Sequence, residues 1–312
     1  MQGFLTVFDS MISKLQTSHK GVFWAMLGAM TYGMNPLFAL PMYNQGIFAE
    51  SVLFYRYLFA TFLLAVWMLY AKIPFRLSRE NLIPALLGGP LCGISSLTLY
   101  MSYKEMDAGL ASTLLFVCPV MIALIMFFGF KEKLSGFTIF GIIGAFFGVG
   151  ILSYTGNGVM LHWLGLLLVM LSALSYAIYM VMVKKTGLSR MNPFQLVFYV
   201  MAGGIPVFLL YGFLFHDGIQ WLPTVSLWSC SFALGLIPSI ISFVTTTYGI
   251  QYIGPTKTAV LSALEPLTAV LFGVMIFGED FTFRLCLGIL VICTAVTFTI
   301  LGGEKKRVEQ NS

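Results

Sequence analysis

The stretch GLASTLLFVCPVMIALIMFFG, residues 109–129, has a counterpart in KTAVLSALEPLTAVLFGVMIF, residues 257–277. Each stretch is long enough to cross a bilayer as a helix. Each also carries a proline near its middle, and Pro119 and Pro266 lie 147 positions apart. A proline removes one amide donor, and its ring crowds the carbonyl four residues earlier. Because freed carbonyls in a membrane need partners from protein, water or ligand, two broken helices predict an internal cavity.

Glu265 distinguishes the second stretch from the first. It directly precedes Pro266, whereas Cys118 directly precedes Pro119. A charge at the centre of a transmembrane helix costs roughly 2.5 to 3.5 kcal/mol, which the surrounding apolar residues can offset. The acid must still face protein or water. Two interpretations stay open: Glu265 exchanges a proton for a cargo, or it makes one structural hydrogen bond beside the proline.

The composition places the chain in the membrane. Its 312 residues are 59% hydrophobic and only 9% charged, and the mean hydropathy is +0.92. This leaves too little polar surface for a soluble globule, and no nucleic-acid partner is expected. All cysteines fall in apolar spans without metal-ligand spacing, so neither a metal site, a cofactor nor a disulfide framework is predicted. They are Cys92, Cys118, Cys230, Cys286 and Cys293.

Ten apolar spans joined by short connections follow an amino-terminal segment, residues 1–20, that is either an interfacial helix or a cytoplasmic tail. The first five spans form a repeat over residues 21–154, the next five a repeat over 161–302, and a basic tail covers 303–312. The predicted spans are 21–41, 50–71, 82–103, 109–129, 135–154, 161–183, 193–215, 227–250, 257–277 and 283–302.

The basic residues predict the orientation. With the amino terminus inside, fourteen lysines and arginines fall on the inner side, two fall outside, and Arg56 lies within a span. Positive charge is retained on the cytoplasmic side. We therefore expect a multi-pass protein of the inner membrane, with both termini cytoplasmic.

Repeat-related residues extend beyond the proline helices. Because each repeat has five spans, an odd number, the second enters the membrane in the opposite orientation. The predicted fold class is therefore all-α and integral to the membrane, with ten helices in two inverted five-helix repeats and a substrate site between them. At offsets of 144, 148 and 147, the pairs include Tyr32 with Tyr176, Phe54 with Phe198, Tyr55 with Tyr199, Pro90 with Pro238, Tyr100 with Tyr248, and Glu132 with Glu279.

Two long stretches resemble a known family. YKEMDAGLASTLLFVCPVMIALIMFFGFKEKLSGFTIFGIIG, from residue 103, and YIGPTKTAVLSALEPLTAVLFGVMIFGEDFTFRLCLGI, from residue 252, resemble the paired EamA-type domains of the drug/metabolite transporter superfamily. The shared features are a small-residue entry, a mid-helix proline, an acid after the helix and a glycine in the next span. Arg56, in RYLFATFLLA, resembles an arginine common in that family's second span. The first copy departs by having Lys131 before its acid.

This resemblance covers residues 21–302. It implies ten helices and transport of small metabolites, often as efflux, and it leaves the cargo open. Amino acids and related compounds are candidates, and protons are a candidate coupling partner. The expected partners are a small-molecule substrate and the lipid bilayer, and both a monomer and a homodimer stay open.

Several polar residues are candidates for substrate binding or coupling. Arg56 lies about two turns into its span, roughly 9 Å at 1.5 Å per residue, so it could face a carboxylate or snorkel to the surface. Tyrosines offer hydroxyls and ring faces, although any one of them could simply pack. The candidates are Glu265, Arg56, Tyr32, Asn35, Tyr100, Tyr176 and Tyr248, with Pro119 and Pro266 as helix breaks.

Other polar residues have simpler interpretations. The run Ser239, Ser242, Thr245, Thr246 and Thr247 either lines the pathway or bonds its own helix backbone. Glu132 and Glu279 precede helices and are expected to offset the helix dipole. His162 and His216 are expected to be solvated or interfacial.

Enzyme motifs are missing from the sequence. It contains no HExxH, Walker loop or GxSxG elbow and no intramembrane aspartate pair, so we expect no enzymatic activity. A secondary transporter working by alternating access is the favoured function. A channel-like facilitator is the alternative, and an intramembrane enzyme is a weaker one.

Overall fold

A computed structural model describes residues 19–105, 114–115, 117–132, 136–153, 163–277, 283, 286–291, 293–295 and 298. Within these ranges every regular element is helical. The predicted segment 1–20 (all but its last two residues), the basic tail, His162 and Glu279 lie outside them, as does the side chain of Pro266.

The helices follow the predicted spans closely. Within the described residues, five continuous helical stretches are long and apolar enough to cross a membrane, and the fifth, Val225–Ile253, runs through a π-helix. In chain order the helices are α1 (19–32), α2 (Asn35–Asn44), α3 (Ala49–Tyr70), α4 (Arg79–Glu105), α5 (Cys118–Phe130), α6 (Gly136–Ser153), α7 (Trp163–Lys185), α8 (Pro193–Phe215), α9 (Val225–Leu234), α10 (Ser242–Ile253), α11 (Pro255–Leu261) and α12 (Leu264–Phe277). A π-helix, Gly235–Ile241, joins α9 to α10, and residues 286–291 and 293–295 are helical.

Both proline spans are interrupted just before their prolines. α5 starts at Cys118, which puts Pro119 in its first turn. In the second repeat, α11 ends at Leu261 and α12 starts at Leu264, two residues before Pro266. A proline is tolerated in the first turn of a helix, where its missing amide would have no helical partner. The second span is therefore two helical segments rather than one kinked helix, and in the first span a turn at Val117 directly precedes α5.

The first span is also broken, which the sequence analysis did not predict. α1 ends at residue 32, and α2 begins at Asn35 with Pro36 in its first turn. The break at Gly33 lies against α12: a Cβ on Gly33 would be 2.4 Å from the Glu265 carbonyl oxygen. Two broken helices, one from each half, thus meet here.

Close helix crossings at small residues join the two halves. A Cβ on Gly89 of α4 would lie 2.5 Å from the Cα of Gly203 in α8. On the other side of the bundle, a Cβ on Gly28 of α1 would lie 2.4 Å from the hydroxyl of Thr246 in α10. Small residues let transmembrane helices approach until their backbones touch. Large apolar side chains such as Phe62, Phe128 and Phe213 cover the outside.

Candidate functional site

Arg56 of α3 lies at the centre of a polar cluster between the two halves. Its side chain is 0% exposed. Two of its bonds reach the π-helix of the second half: Nε donates to Ser239 Oγ at 2.6 Å, and Nη2 donates to the Pro238 carbonyl at 3.2 Å. The guanidinium fork therefore ties α3 to the opposite repeat.

The first half supplies the remaining partners of the guanidinium. Arg56 Nη1 donates to Asn35 Oδ1 at 3.2 Å and to the Tyr100 hydroxyl at 3.4 Å. Its Cζ lies 5.4 Å from the centre of the Tyr32 ring, at cation–π distance. Four of the predicted site residues, on α1, α2, α3 and α4, are thus brought together around one buried charge.

The π-helix explains how Pro238 comes to offer a bond to Arg56. Proline lacks the amide that would bond the Leu234 carbonyl in an α-helix. That carbonyl instead accepts the Ser239 hydroxyl at 2.8 Å. π-Helical turns often mark functional sites. In this widened turn, the Ser239 hydroxyl bonds the Leu234 carbonyl and also accepts a bond from Arg56. The Pro238 carbonyl lies close enough to accept a second bond from Arg56.

Glu265 lies in the first turn of α12 and is only partly buried, in contrast to Arg56. Its carboxyl interacts electrostatically with Arg56, Tyr32 and Tyr100, and with Cys118 of the other proline helix. A helix amino terminus favours a negative charge. Glu265 is therefore a partly buried acid within electrostatic range of a fully buried base.

Two of the predicted tyrosines are not among the described partners of the guanidinium. Tyr176 packs its ring 5.9 Å from Tyr179 and 6.5 Å from Phe243. Tyr248 stacks 5.4 Å from Trp24 and 6.2 Å from Tyr252. These contacts are those of packed aromatic side chains, although a role for either residue in binding stays a prediction.

The snorkelling alternative for Arg56 is wrong, because the side chain is buried and bonded to four protein acceptors. Part of the Ser/Thr run follows the simpler interpretation too, whereas Ser242 donates to the Gly28 carbonyl of α1 at 2.8 Å. Thr245 bonds the Ile241 carbonyl and Thr247 bonds the Phe243 carbonyl, both within their own helix.

Some polar contacts at the ends of the bundle were not predicted. His216 is not simply solvated: its Nδ1 lies 2.9 Å from Oε1 of the buried Glu50, without the alignment of a hydrogen bond, and its ring stacks 4.3 Å from Phe48. Glu132 pairs with Lys185 of α7 at 3.5 Å. Neither pair is visible in the sequence, because both partners of each are far apart in the chain.

The described residues contain no group of three or more histidine, cysteine, aspartate or glutamate side chains that could hold a metal ion. The chemistry of the polar cluster is that of one base, one acid, hydroxyls and an amide.

A family model described as the EamA-like transporter family matches residues 19–154 and again residues 163–301. The chain belongs to the EamA-like transporter family. It is thus an all-α membrane transporter with ten membrane spans in two inverted five-span repeats, as the sequence predicted, and some of these spans are divided into two helices. The family resemblance drawn from the two proline stretches is confirmed.

Relatives from two organisms agree with this assignment. An uncharacterized transporter of Archaeoglobus fulgidus is 30% identical over 136 residues, which are 42% of this chain and 46% of that protein. The uncharacterized transporter YdfC of Bacillus subtilis is 26% identical over 84% of this chain and 85% of its own. YoaV of the same bacterium is 27% identical over 74% and 80%. The match thus spans less than half of the archaeal relative but most of both bacterial ones.

The fold also occurs among solved structures. One crystal structure superposes with a TM-score of 0.76 and 17% sequence identity, over 90% of this chain and 98% of its own. At this identity the similarity shows the shared fold alone.

Proposed function

We propose that this transporter exports small metabolites, amino acids and related compounds among them, across the inner membrane by alternating access, and that Glu265 exchanges a proton for the cargo. One observation supports this proposal above all. Arg56 is buried and bonded to protein, Glu265 is only partly buried, and the two interact electrostatically where the repeats meet.

The different surroundings of the two charges support different roles. Arg56 has its Nε, Nη1 and Nη2 atoms bonded to protein acceptors, so a cargo would have to displace an existing partner to reach it. Glu265 is more accessible, and a proton or an ammonium group can neutralise a carboxylate equally well. Arg56 then supplies a constant positive charge, and Glu265 supplies the charge that changes during transport.

The broken helices support a site at this place. α2 and α12 both begin beside the cluster, at Asn35 and Leu264. In secondary transporters, substrates bind near the membrane midplane, where discontinuous helices expose backbone groups and helix ends. The same plan supplies the symmetry that alternating access requires.

Sealed proteoliposomes test the transport mechanism. Candidate amino acids and other metabolites are first screened by their efflux from cells that produce the protein, and those released are then loaded into vesicles. A carrier shows saturation and counterflow, whereas a channel-like facilitator shows neither. Linear, unsaturable flux without counterflow would contradict the proposal.

Orientation is tested separately by cysteine labelling. Single cysteines near Asn44 and Gly218 are expected to react with an impermeant reagent in intact cells, because the charge distribution places them outside. Cysteines near Ser78 and Thr186 are expected to react only after permeabilisation. The reverse pattern would contradict the predicted orientation.

A further inference from the structure

Residues 216–222, after α8, bond to the start of α3; we call this contact the Gln220 clamp. The side-chain oxygen of Gln220 accepts a bond from the Phe48 backbone amide at 2.6 Å, and the backbone amide of Gln220 donates to Ser51 Oγ at 3.0 Å. The Tyr55 hydroxyl donates to the Gln220 carbonyl at 3.1 Å. Gln220 Nε2 also donates to the Gly46 carbonyl at 3.4 Å, so one residue of the second half is bonded to four residues of the first.

At the opposite end of α3, residues 74–76 bond to the start of α8; we call this contact the Gln195 clamp. Gln195 Nε2 donates to the Pro74 carbonyl at 2.8 Å and to the Arg76 carbonyl at 3.2 Å. The Tyr199 hydroxyl donates to the Phe75 carbonyl. Here one segment of the first half is bonded to two residues of the second.

The two clamps are related by the inverted repeat. Ser51 and Tyr55 correspond to Gln195 and Tyr199 at an offset of 144. In each clamp, a tyrosine in the second turn of one helix donates to a backbone carbonyl in the loop that follows the other helix. The repeat has therefore placed equivalent bonds at opposite ends of one helix pair.

Between the clamps, α3 contacts the second half with almost no space to spare. A Cβ on Gly204 of α8 would lie 2.6 Å from the Tyr57 ring. A Cβ on Gly235 of the π-helix would lie 2.7 Å from the Phe59 Cβ. Packed surfaces of this kind have discrete arrangements and do not deform continuously. Sliding or rotating α3 against α8 would break both clamps and these contacts together.

The carboxyl end of the proline helix α5 has looser surroundings, in contrast to the start of α12, which closely contacts Gly33. Glu132, just after α5, is joined to Lys185 of α7 by an ion pair whose side chains are 52% and 31% exposed. Exposed ion pairs of this kind contribute only about 0–1 kcal/mol. A Cβ on Gly129 of α5 would meet nothing within 4 Å.

We propose that α3 and α8, held by the Gln220 and Gln195 clamps, form one rigid axis that stays fixed while the proline helices move during transport. The bonds of both clamps are formed at the same time in this structure, whereas a pair of alternating gates would have one closed and the other open. Gln220 and Gln195 are positioning residues, because they hold the helix that carries Arg56 without touching the polar cluster themselves. This inference rests on the proposed alternating access.

Distance measurements between spin labels test the axis in lipid vesicles without any substrate. The background variant has its five cysteines replaced, and labels are attached at lipid-facing positions. One pair joins Tyr70 at the end of α3 to Phe215 at the end of α8, which are 81% and 66% exposed. The comparison pair joins Tyr70 to Met275 of α12, which is 80% exposed. Both are measured in acidic and alkaline buffer.

The axis predicts one narrow distance distribution for Tyr70 and Phe215, unchanged by pH, and a broader or two-population distribution for Tyr70 and Met275. Gln220→Leu is expected to broaden the first distribution, and Ser51→Ala to broaden it less. The proposal of a rigid axis would be contradicted if the Tyr70–Phe215 distances were as broadly distributed as the Tyr70–Met275 distances, or shifted as much with pH. Because no transport is measured, this result is independent of whether the export screen finds a cargo.

Discussion

The charged cluster and its repeat-related counterpart differ sharply in chemistry. Arg56 corresponds to Val200 at an offset of 144, and Glu265 corresponds to Cys118 at 147. Val200 is fully buried in an apolar core, and Cys118 is also buried. The base is therefore present only in the first half and the acid only in the second, although each has a repeat-related position in the other half.

The scaffold itself is duplicated. Both proline spans break before their prolines, and both clamps use a tyrosine from the same repeat position. The π-helix proline, Pro238, also has its counterpart in Pro90. The repeat therefore supplies the helix breaks and the symmetry, whereas a few residues that differ between the two halves supply the site.

Replacing Arg56 is expected to have the largest effect. Arg56→Met removes the donor from Ser239, Asn35 and the Pro238 carbonyl and leaves Glu265 without its base. Breaking a buried charged contact costs about 3–5 kcal/mol, so the thermal unfolding temperature in detergent should fall strongly and transport should be lost. Val200→Ala, at the equivalent position, is the control and should cost less. Equal losses of thermal stability and transport in Arg56→Met and Val200→Ala would contradict the claim that Arg56 has a role that Val200 lacks.

The proline breaks come next, and they test what the halves share. Pro119→Ala and Pro266→Ala each restore an amide donor and let the helix continue, so both should lower the transport rate more than the amount of inserted protein. Pro206→Ala is the control. Pro206 lies within α8, which we propose to stay fixed during transport, so its replacement should change the transport rate less. Full activity of both Pro119→Ala and Pro266→Ala would exclude the breaks from the mechanism.

Ser239→Ala should give the smallest of these effects. It leaves the Leu234 carbonyl and the Arg56 Nε–H without a buried partner, which costs about 1–3 kcal/mol in unfolding free energy. Ser229→Ala is a matched control, because Ser229 is exposed and bonds only the Val225 carbonyl of its own helix. An equally small change in both unfolding temperatures would mean that the Ser239 bond to Arg56 contributes nothing.

Much of the fold could be predicted from the sequence because it depends on local patterns. Apolar spans of membrane length predicted α3 and α8 to within a residue, and Pro119 and Pro266 predicted two helix breaks. The break before Asn35 was missed, since Pro36 lies late in an apolar span and has no partner at the equivalent place in α7.

The site could be predicted only in part. Arg56 and Glu265 are conspicuous as charges in apolar spans, and Tyr32, Asn35 and Tyr100 as polar residues on repeat-related helices. Gln220 and Gln195 could not be found this way, because their partners are mainly backbone groups more than a hundred residues away. Ser239 was visible as one of five hydroxyl residues, and only the π-helix distinguishes it from the others.

The coupling role of Glu265 is tested most directly by measuring cargo-driven proton movement in proteoliposomes that contain the Glu265→Gln variant. Glutamine keeps the size and hydrogen bonding of glutamate but cannot titrate. We expect normal insertion, retained cargo exchange and loss of the coupled proton flux. The Cys118→Ser variant, at the repeat-related position, should behave like the unaltered protein. Normal insertion with undiminished proton flux in Glu265→Gln would show that Glu265 is not the coupling residue.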